Sequence, residues 1–386
     1  MRTAHAVALR HARSFVSAGR RLLCSYRFLA FHVDPFWTQL LYFLCLALLG
    51  SAALMALEPS DPTFSPKYVD MLYLSASAVT VSGLATVEME VLSQSQVLVY
   101  TLLMLLGGEV WVSFLGILVR LPKLATPAVT AGGRVFDHMP RSVDLSSSVD
   151  PHDVEGAVAI TLEDLTATVS TATEYRCLRL LAYVVFAYMA LIQVGGSLLI
   201  FLYISIVSSN SKAVLEGKGI RVLPFAVSVT ISSFANGGLI PTNENMAVFR
   251  KNSAMLLLMA LQVLAGNTLF PVLLRAVVLG LKALTGKTEF EHMGKSPTRV
   301  RYFHLMPGRR ASSLGLTVGG LLSAQVALFC ALDWRTRVLA GLGWFQKIAA
   351  ALFQAANTRH AGEAAFDLSA VSPATLVLFV VMMSVP

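Results

Sequence analysis

The sequence predicts an all-α polytopic membrane protein made of repeated units: a spanning helix, a short pore helix, and a second spanning helix. Three observations carry this prediction. Hydrophobic residues make up 55% of the 386-residue chain and charged residues only 13%, about half the charged share of a soluble domain. Apolar runs of bilayer length recur, and the mean hydropathy is +0.67. The same order of elements also returns three times, with a glycine after each short apolar segment. A net charge of +8 does not make nucleic acid a partner here. The Lys and Arg residues lie between apolar spans, as the positive-inside rule expects.

The elements follow in order. Residues 1–35 carry six arginines and no acid before Asp34, and are read as a basic cytoplasmic N-terminus. The first repeat, 36–120, opens with a span at 36–57 that has Trp37 and Tyr42 as interface anchors. The acidic, proline-broken run 58–62 is external. Residues 68–81 are apolar but too short to cross about 30 Å of hydrocarbon, so they form a half-crossing helix. A span at 97–119 closes the unit. Residues 121–177 gain Gly, Ser, Pro and acids and read as a cytoplasmic, largely flexible linker.

The second repeat, 178–285, has a span at 178–207, a polar loop at 208–219, a short apolar segment at 222–234 and a span at 255–281. A basic loop at 286–311 is cytoplasmic by charge. The third repeat, 312–386, has a span at 314–332, a half-crossing helix at 342–356 and the start of a closing span. Cys24, Cys45, Cys177 and Cys330 have no metal-ligand spacing and read as small buried hydrophobes. No cofactor is expected.

The chemistry lies in the glycine turns. A cation that sheds its water needs a ring of oxygens, and inward-pointing backbone carbonyls supply one. The φ values this requires suit glycine, and irregular backbone at membrane depth belongs around a cavity. The turn around Gly83 and the glycine turns at 235–245 and 357–363 are therefore the candidate filter walls, with Na⁺ or K⁺ held transiently at backbone carbonyls. Val81, Ser82, Leu84, Asn236, Gly237, Leu239, His360 and Ala361 flank their glycines. Glu88, Glu90, Glu244 and Glu363 follow the turns as pore-mouth acids that concentrate cations. Glu109 is expected to face the bundle interior, and Gln193 and Asn267 to bond across helices. His360 with Glu363, or Ser82 near Thr80, lacks a nucleophile–base–orienter arrangement, so an enzyme is not expected. The shared orientation of the repeats also disfavours an inverted-repeat transporter.

Several motifs carry a resemblance: Phe31-His32-Val33-Asp34-Pro35-Phe36-Trp37, the run from Thr80 to Glu90, Gly107-Gly108-Glu109-Val110, Pro241-Thr242-Asn243-Glu244-Asn245-Met246, and Asn357-Thr358-Arg359-His360-Ala361-Gly362-Glu363. In these the chain resembles the plant high-affinity potassium transporters, the HKT branch of the Trk/Ktr/HKT superfamily, from about residue 26 onward. The resemblance implies a K⁺-channel-like architecture of four repeats around one pore, and a homodimer with a pore in each subunit. It implies passage of Na⁺, with or without K⁺, across the plasma membrane, each repeat giving one filter residue: by motif Gly83, Gly238 and Gly362.

In that family the first filter position is serine or glycine, and glycine goes with K⁺ permeation. The physical reason is that a serine side chain intrudes on the ring, whereas Gly83 leaves it symmetric. The alternative is a strictly Na⁺-selective transporter. Three of the four implied repeats are present. This leads to the expectation of either an incomplete product or a truncated, non-conducting or regulatory subunit of a full-length relative.

Overall fold

The computed structural model describes residues 35–137, 151–359 and 362–384. The expected N-terminal flank (1–34), the middle of the 121–177 segment, and the filter-flanking His360 and Ala361 lie outside the described residues. Those described are helical throughout their regular structure, with no strand among them. In chain order the helices are α1 (Pro35–Ala56), α2 (Tyr68–Val79), α3 (Gln94–Gly107), α4 (Glu109–Asp137) and α5 (Pro151–Leu202, continued by a π turn Tyr203–Val207). Then come α6 (Ser209–Gly217), α7 (Val222–Ala235), α8 (Ser253–Gly266), α9 (Phe270–Thr285) and α10 (Thr288–Lys295). The last three are α11 (Gly308–Asp333), α12 (Trp344–Asn357) and α13 (Pro373–Ser384). The described chain divides into two units, with boundaries at Tyr42/Phe43, Leu115/Gly116 and Leu180/Leu181. Everything that bears on function lies in the unit holding residues 43–115 and 181–386.

Among the described residues three helices are long and apolar enough to cross a membrane, and two bent pairs bring the number to as many as five. Their outer faces carry large apolar side chains in the open, including Phe36, Leu44 and Leu48 on α1 and Leu191, Val194 and Leu198 on α5. Water does not tolerate stripes of that size, whereas lipid does. The chain is thus a multi-pass membrane protein. Its buried faces are small or hydroxylated: Ser75, Ser77, Ser228, Thr230, Ser232 and Ser233 are all shielded. Thr101 on α3 reaches Ser228 on α7 at 3.0 Å.

Some helix ends are closed by side chains, which satisfy backbone groups that lipid cannot. Ser93 and Gln96 form a capping box at the start of α3. The same Gln96 amide donates to the carbonyls of Leu54 (2.9 Å) and Leu57 (3.1 Å), closing the end of α1. Buried Asp333, at the end of α11, accepts from Ser372 N (3.2 Å) and from the hydroxyls of Ser372 and Thr375, which fixes the entry of α13.

Two expectations need correction. The spans at 97–119 and 255–281 are each broken: α3 and α4 meet at 55°, and α8 and α9 at 82°. The reason is a contact made twice. A Cβ on Gly107 would lie 1.8 Å from the carbonyl oxygen of Val79, and one on Gly266 would lie 1.8 Å from that of Phe234. In both cases the helix presses its bare Cα against the last turn of the preceding short helix and then breaks. The 121–177 segment is also helical where it is described, since α4 runs to Asp137 and α5 begins at Pro151. Loss of hydrophobicity was read there as loss of structure, although polar residues build solvated helices equally well.

This packing predicts that Gly107→Ala or Gly266→Ala, each driven into backbone, costs about 1–3 kcal/mol or more. Gly195→Ala, with nothing within 4 Å of its Cβ position, leaves the protein as stable as before. Melting of the three purified variants in detergent checks the contrast; equal melting temperatures would contradict it.

Candidate functional site

The first two glycine turns are built alike. Helix α2 ends at Val79, and the chain turns left-handed at Val81 (φ 55°) and again at Gly83 (φ 72°). Helix α7 ends at Ala235, with left-handed residues at Asn236 (φ 61°) and Gly238 (φ 68°). In each turn an amide reaches back five residues, Ser82 N to Ser77 O at 2.9 Å and Gly237 N to Ser232 O at 2.8 Å. That is the closing bond of a left-handed helix cap. Asparagine suits such a position, whereas a β-branched residue does not. Val81 therefore carries strain of about 1–2 kcal/mol. The Ser77 hydroxyl steadies the first turn by accepting from Leu84 N at 2.9 Å. In the third, the amide of Gln354 on α12 accepts from Ala365 N at 3.1 Å.

These three turns, far apart in sequence, meet. A Cβ built on Gly83 would lie 3.1 Å from Gly237 O and 3.3 Å from the Cα of Gly238. One on Gly238 would lie 2.6 Å from Gly362 N and 3.1 Å from the Cα of Gly83. One on Gly362 would lie 3.6 Å from Gly83 O. A Cβ would collide with backbone at Gly238, press on it at Gly83 and make ordinary contact at Gly362, and the carbonyl oxygens of Gly83 and Gly237 lie at the meeting point. The C-terminal ends of α2 and α7 lie just behind, each with roughly half a negative charge.

The acids named in the sequence occupy different places. Lys218 Nζ lies 2.6 Å from both Glu90 Oε1 and Glu244 Oε2. Asn243 donates its backbone amide to Glu90 (3.0 Å) and its side-chain amide to Glu88 (3.1 Å). Three acids thus join one lysine and one asparagine in a staple between the loops that leave the first two turns. Hydrogen bonding from Lys218 holds the Glu244 carboxyl below its ordinary range. Partial burial pulls the Lys218 ammonium down, but its bonds to Glu244 and Glu90 outweigh this and raise it. Glu363 is not a mouth acid. It is 1% exposed, and Ser233 Oγ, near the end of α7, lies 3.1 Å from both carboxylate oxygens. Burial follows from its position directly after Gly362, where the chain tucks against α7.

Below the turns, Glu109 is half-exposed in the first turn of α4, 3.8 Å from His304 Nε2, and so is not buried in the bundle. Gln193 is buried without a hydrogen-bond partner for either side-chain atom, so the cross-helix bond expected of it is not made. Sequence reasoning named Asn243 and Asn245 only as part of a motif and passed over Lys218 and Ser233, and it gave none of the four a role. Lys218 did leave a signal, as a charged residue in the polar loop at 208–219 just before an apolar helix.

The arrangement is that of an all-helical membrane protein in which three glycine turns meet, with the carbonyl oxygens of Gly83 and Gly237 at the contact, and the comparisons give its class. Residues 155–386 match the family described as TrkH, cation transport protein. The chain is 43% identical over 380 residues to the cation transporter HKT2;4 of Oryza sativa subsp. japonica, covering 96% of this chain and 72% of that protein. It is 39% identical over 374 residues to the cation transporter HKT1;3 of the same plant, covering 96% of this chain and 69% of that one. It is also 39% identical over 334 residues to the sodium transporter HKT1 of Arabidopsis thaliana, covering 86% and 64%. The chain belongs to the TrkH family of cation transport proteins, among the plant HKT transporters. That family consists of transporters, not enzymes.

The strain at Val81 is testable. Val81→Asn, the residue found at the equivalent place in the second turn, should stabilise the protein by about 1 kcal/mol. A lower melting temperature for V81N would show that the valine side chain contributes more by packing than it costs in backbone.

Proposed function

We propose that the chain carries monovalent cations, Na⁺ and K⁺, through a passage whose selective part is walled by the backbone of Gly83, Gly238 and Gly362. One observation carries the reading: three turns from three separate segments bring their glycines within van der Waals reach of each other. The glycines bring no side chain there, and the oxygens at the contact belong to the main chain. A dehydrated monovalent cation is the cargo such oxygens suit. Family membership supports cation transport in general, and the names of the relatives include both cation and sodium transporters.

Glycine at position 83 favours the K⁺-permeable type, because nothing projects into the ring to penalise the larger ion. The repeats are read as membrane–pore–membrane units, supported by the matching caps of α2 and α7 and the matching contacts of Gly107 and Gly266. A plasma-membrane location with a cytoplasmic N-terminus and a homodimeric state complete the proposal. These rest on the charge of the flanks and on the resemblance to the plant transporters.

The three glycines should respond unequally to a side chain. At Gly83 a Cβ would press on backbone at 3.1–3.6 Å in a left-handed residue (φ 72°), a strain of about 1–2 kcal/mol like the one Val81 already bears. Gly83→Ser should therefore fold with lowered stability and depress K⁺ current relative to Na⁺. At Gly238 the Cβ meets backbone at 2.6 Å, so Gly238→Ser should abolish transport. At Gly362 the Cβ has ordinary contacts of 3.6–3.9 Å, so Gly362→Ala should keep conducting. Reversal potentials under Na⁺/K⁺ exchange read all three. Unchanged selectivity in G83S together with normal currents in G238S would contradict a glycine-walled passage.

A further inference from the structure

Asn245 stands in the loop that leaves the second turn, in a left-handed conformation (φ 57°). Its side chain is directed at the third turn. Nδ2 donates to the carbonyl oxygen of Gly362 at 2.9 Å. Oδ1 accepts from Ala364 N at 3.2 Å and from Met246 N at 2.8 Å. One amide therefore grips the chain on both sides of Glu363. The backbone adds a bond of its own, Met246 N to Ala364 O at 3.1 Å.

The consequence for the glycine cluster is asymmetry. Gly237 O and Gly83 O face neighbouring glycines, at 3.1 Å and 3.6 Å from the Cβ positions of Gly83 and Gly362. Among the described residues no side-chain donor reaches either oxygen. The Gly362 carbonyl alone is held by a side chain of another repeat. A donor on a carbonyl fixes its direction and draws off negative potential that would otherwise act on a cation. Because ion choice depends on the number and field of the coordinating carbonyls, one such bond changes what the ring offers.

We propose that Asn245 is a positioning residue for ion selection, which restrains the Gly362 carbonyl and thereby limits the carbonyls available to the larger ion. This rests on the transport reading above. Releasing that carbonyl adds an oxygen to the ring, and K⁺ accepts more oxygens than Na⁺ does. The ratio of K⁺ to Na⁺ permeability therefore rises when the bond is lost.

Asn245→Asp separates selection from folding. It keeps an oxygen for Ala364 N and Met246 N, is tolerated at positive φ, and loses only the donor to Gly362. Its added charge also strengthens the local field, so the charge-free Asn245→Gly has to give the same shift for the carbonyl to be its cause. Asn245→Gly, which suits the same φ, removes every side-chain bond without adding charge and serves if N245D does not reach the membrane. The test is the reversal potential under Na⁺/K⁺ exchange for the wild type and both variants, expressed as full chains.

The expected result is a K⁺/Na⁺ permeability ratio raised by about threefold to tenfold in both variants, the worth of one net hydrogen bond. A purely structural role would lower current amplitude and leave the ratio fixed. A conducting wild type whose variants keep or lower the ratio overturns this inference alone. A wild type without cation current overturns the transport reading and this inference with it.

Discussion

A helix glycine pressed onto the carbonyl end of the preceding apolar helix is the contact on which the rest of the structure depends. Gly107 meets Val79 in this way and Gly266 meets Phe234, each closer than any Cβ would permit. The contact sets how deeply α2 and α7 enter the bundle, and therefore where their last turns release the chain. From there the path is fixed locally by a left-handed cap, a bond reaching back to a serine carbonyl, and a glycine four residues beyond the contacted carbonyl. The helix that bears the glycine breaks directly after it, so the element that seats the preceding helix also changes direction beneath the turn. Two segments with little sequence in common produce the same geometry because they share this one requirement for absent side chains.

The periphery of the cluster is polar and joins segments that the apolar core does not. The run 243–245 is the centre of this. Asn243 holds the first loop, Glu244 shares Lys218 with Glu90, and Asn245 holds the third loop. In a membrane protein, where lipid provides no hydrophobic drive between helices, such bonds and close backbone packing do much of the joining. Electrostatics follows suit: charges that look like a cation-gathering rim in sequence are mostly engaged in holding loops. The buried Glu363 extends the pattern by tying the third turn to Ser233 at the end of α7.

Much of this was legible in the sequence. Hydropathy and length separated spanning helices from the three short ones, whose bounds match α2, α7 and α12 to within about two residues, the usual scatter of helix ends. That Gly83, Gly238 and Gly362 stand in polar turns between apolar helices was legible too, whereas their meeting at one point is given by the fold. What escaped was of two kinds. Helix breaks at Gly108 and at 267–269 leave no mark on hydropathy, since both halves are apolar, and the cause lies in a distant carbonyl. The partners of the polar side chains also escaped, because Lys218, Ser233 and Asn245 act across more than 20, and mostly more than 100, residues of sequence. The acids at 88, 90, 244 and 363 were visible as charges, but only the fold distinguishes a staple or a buried carboxylate from an open rim.

The central claim is that backbone oxygens at the meeting point of Gly83, Gly238 and Gly362 take up a dehydrated monovalent cation. The most direct measurement is the anomalous scattering of Tl⁺, a monovalent ion of K⁺-like size, in crystals of the protein. The account predicts a Tl⁺ peak among the three glycines, coordinated by main-chain oxygens and lost when Na⁺ or K⁺ is added in excess. An occupied Tl⁺ site elsewhere, with none at the glycines, would contradict it.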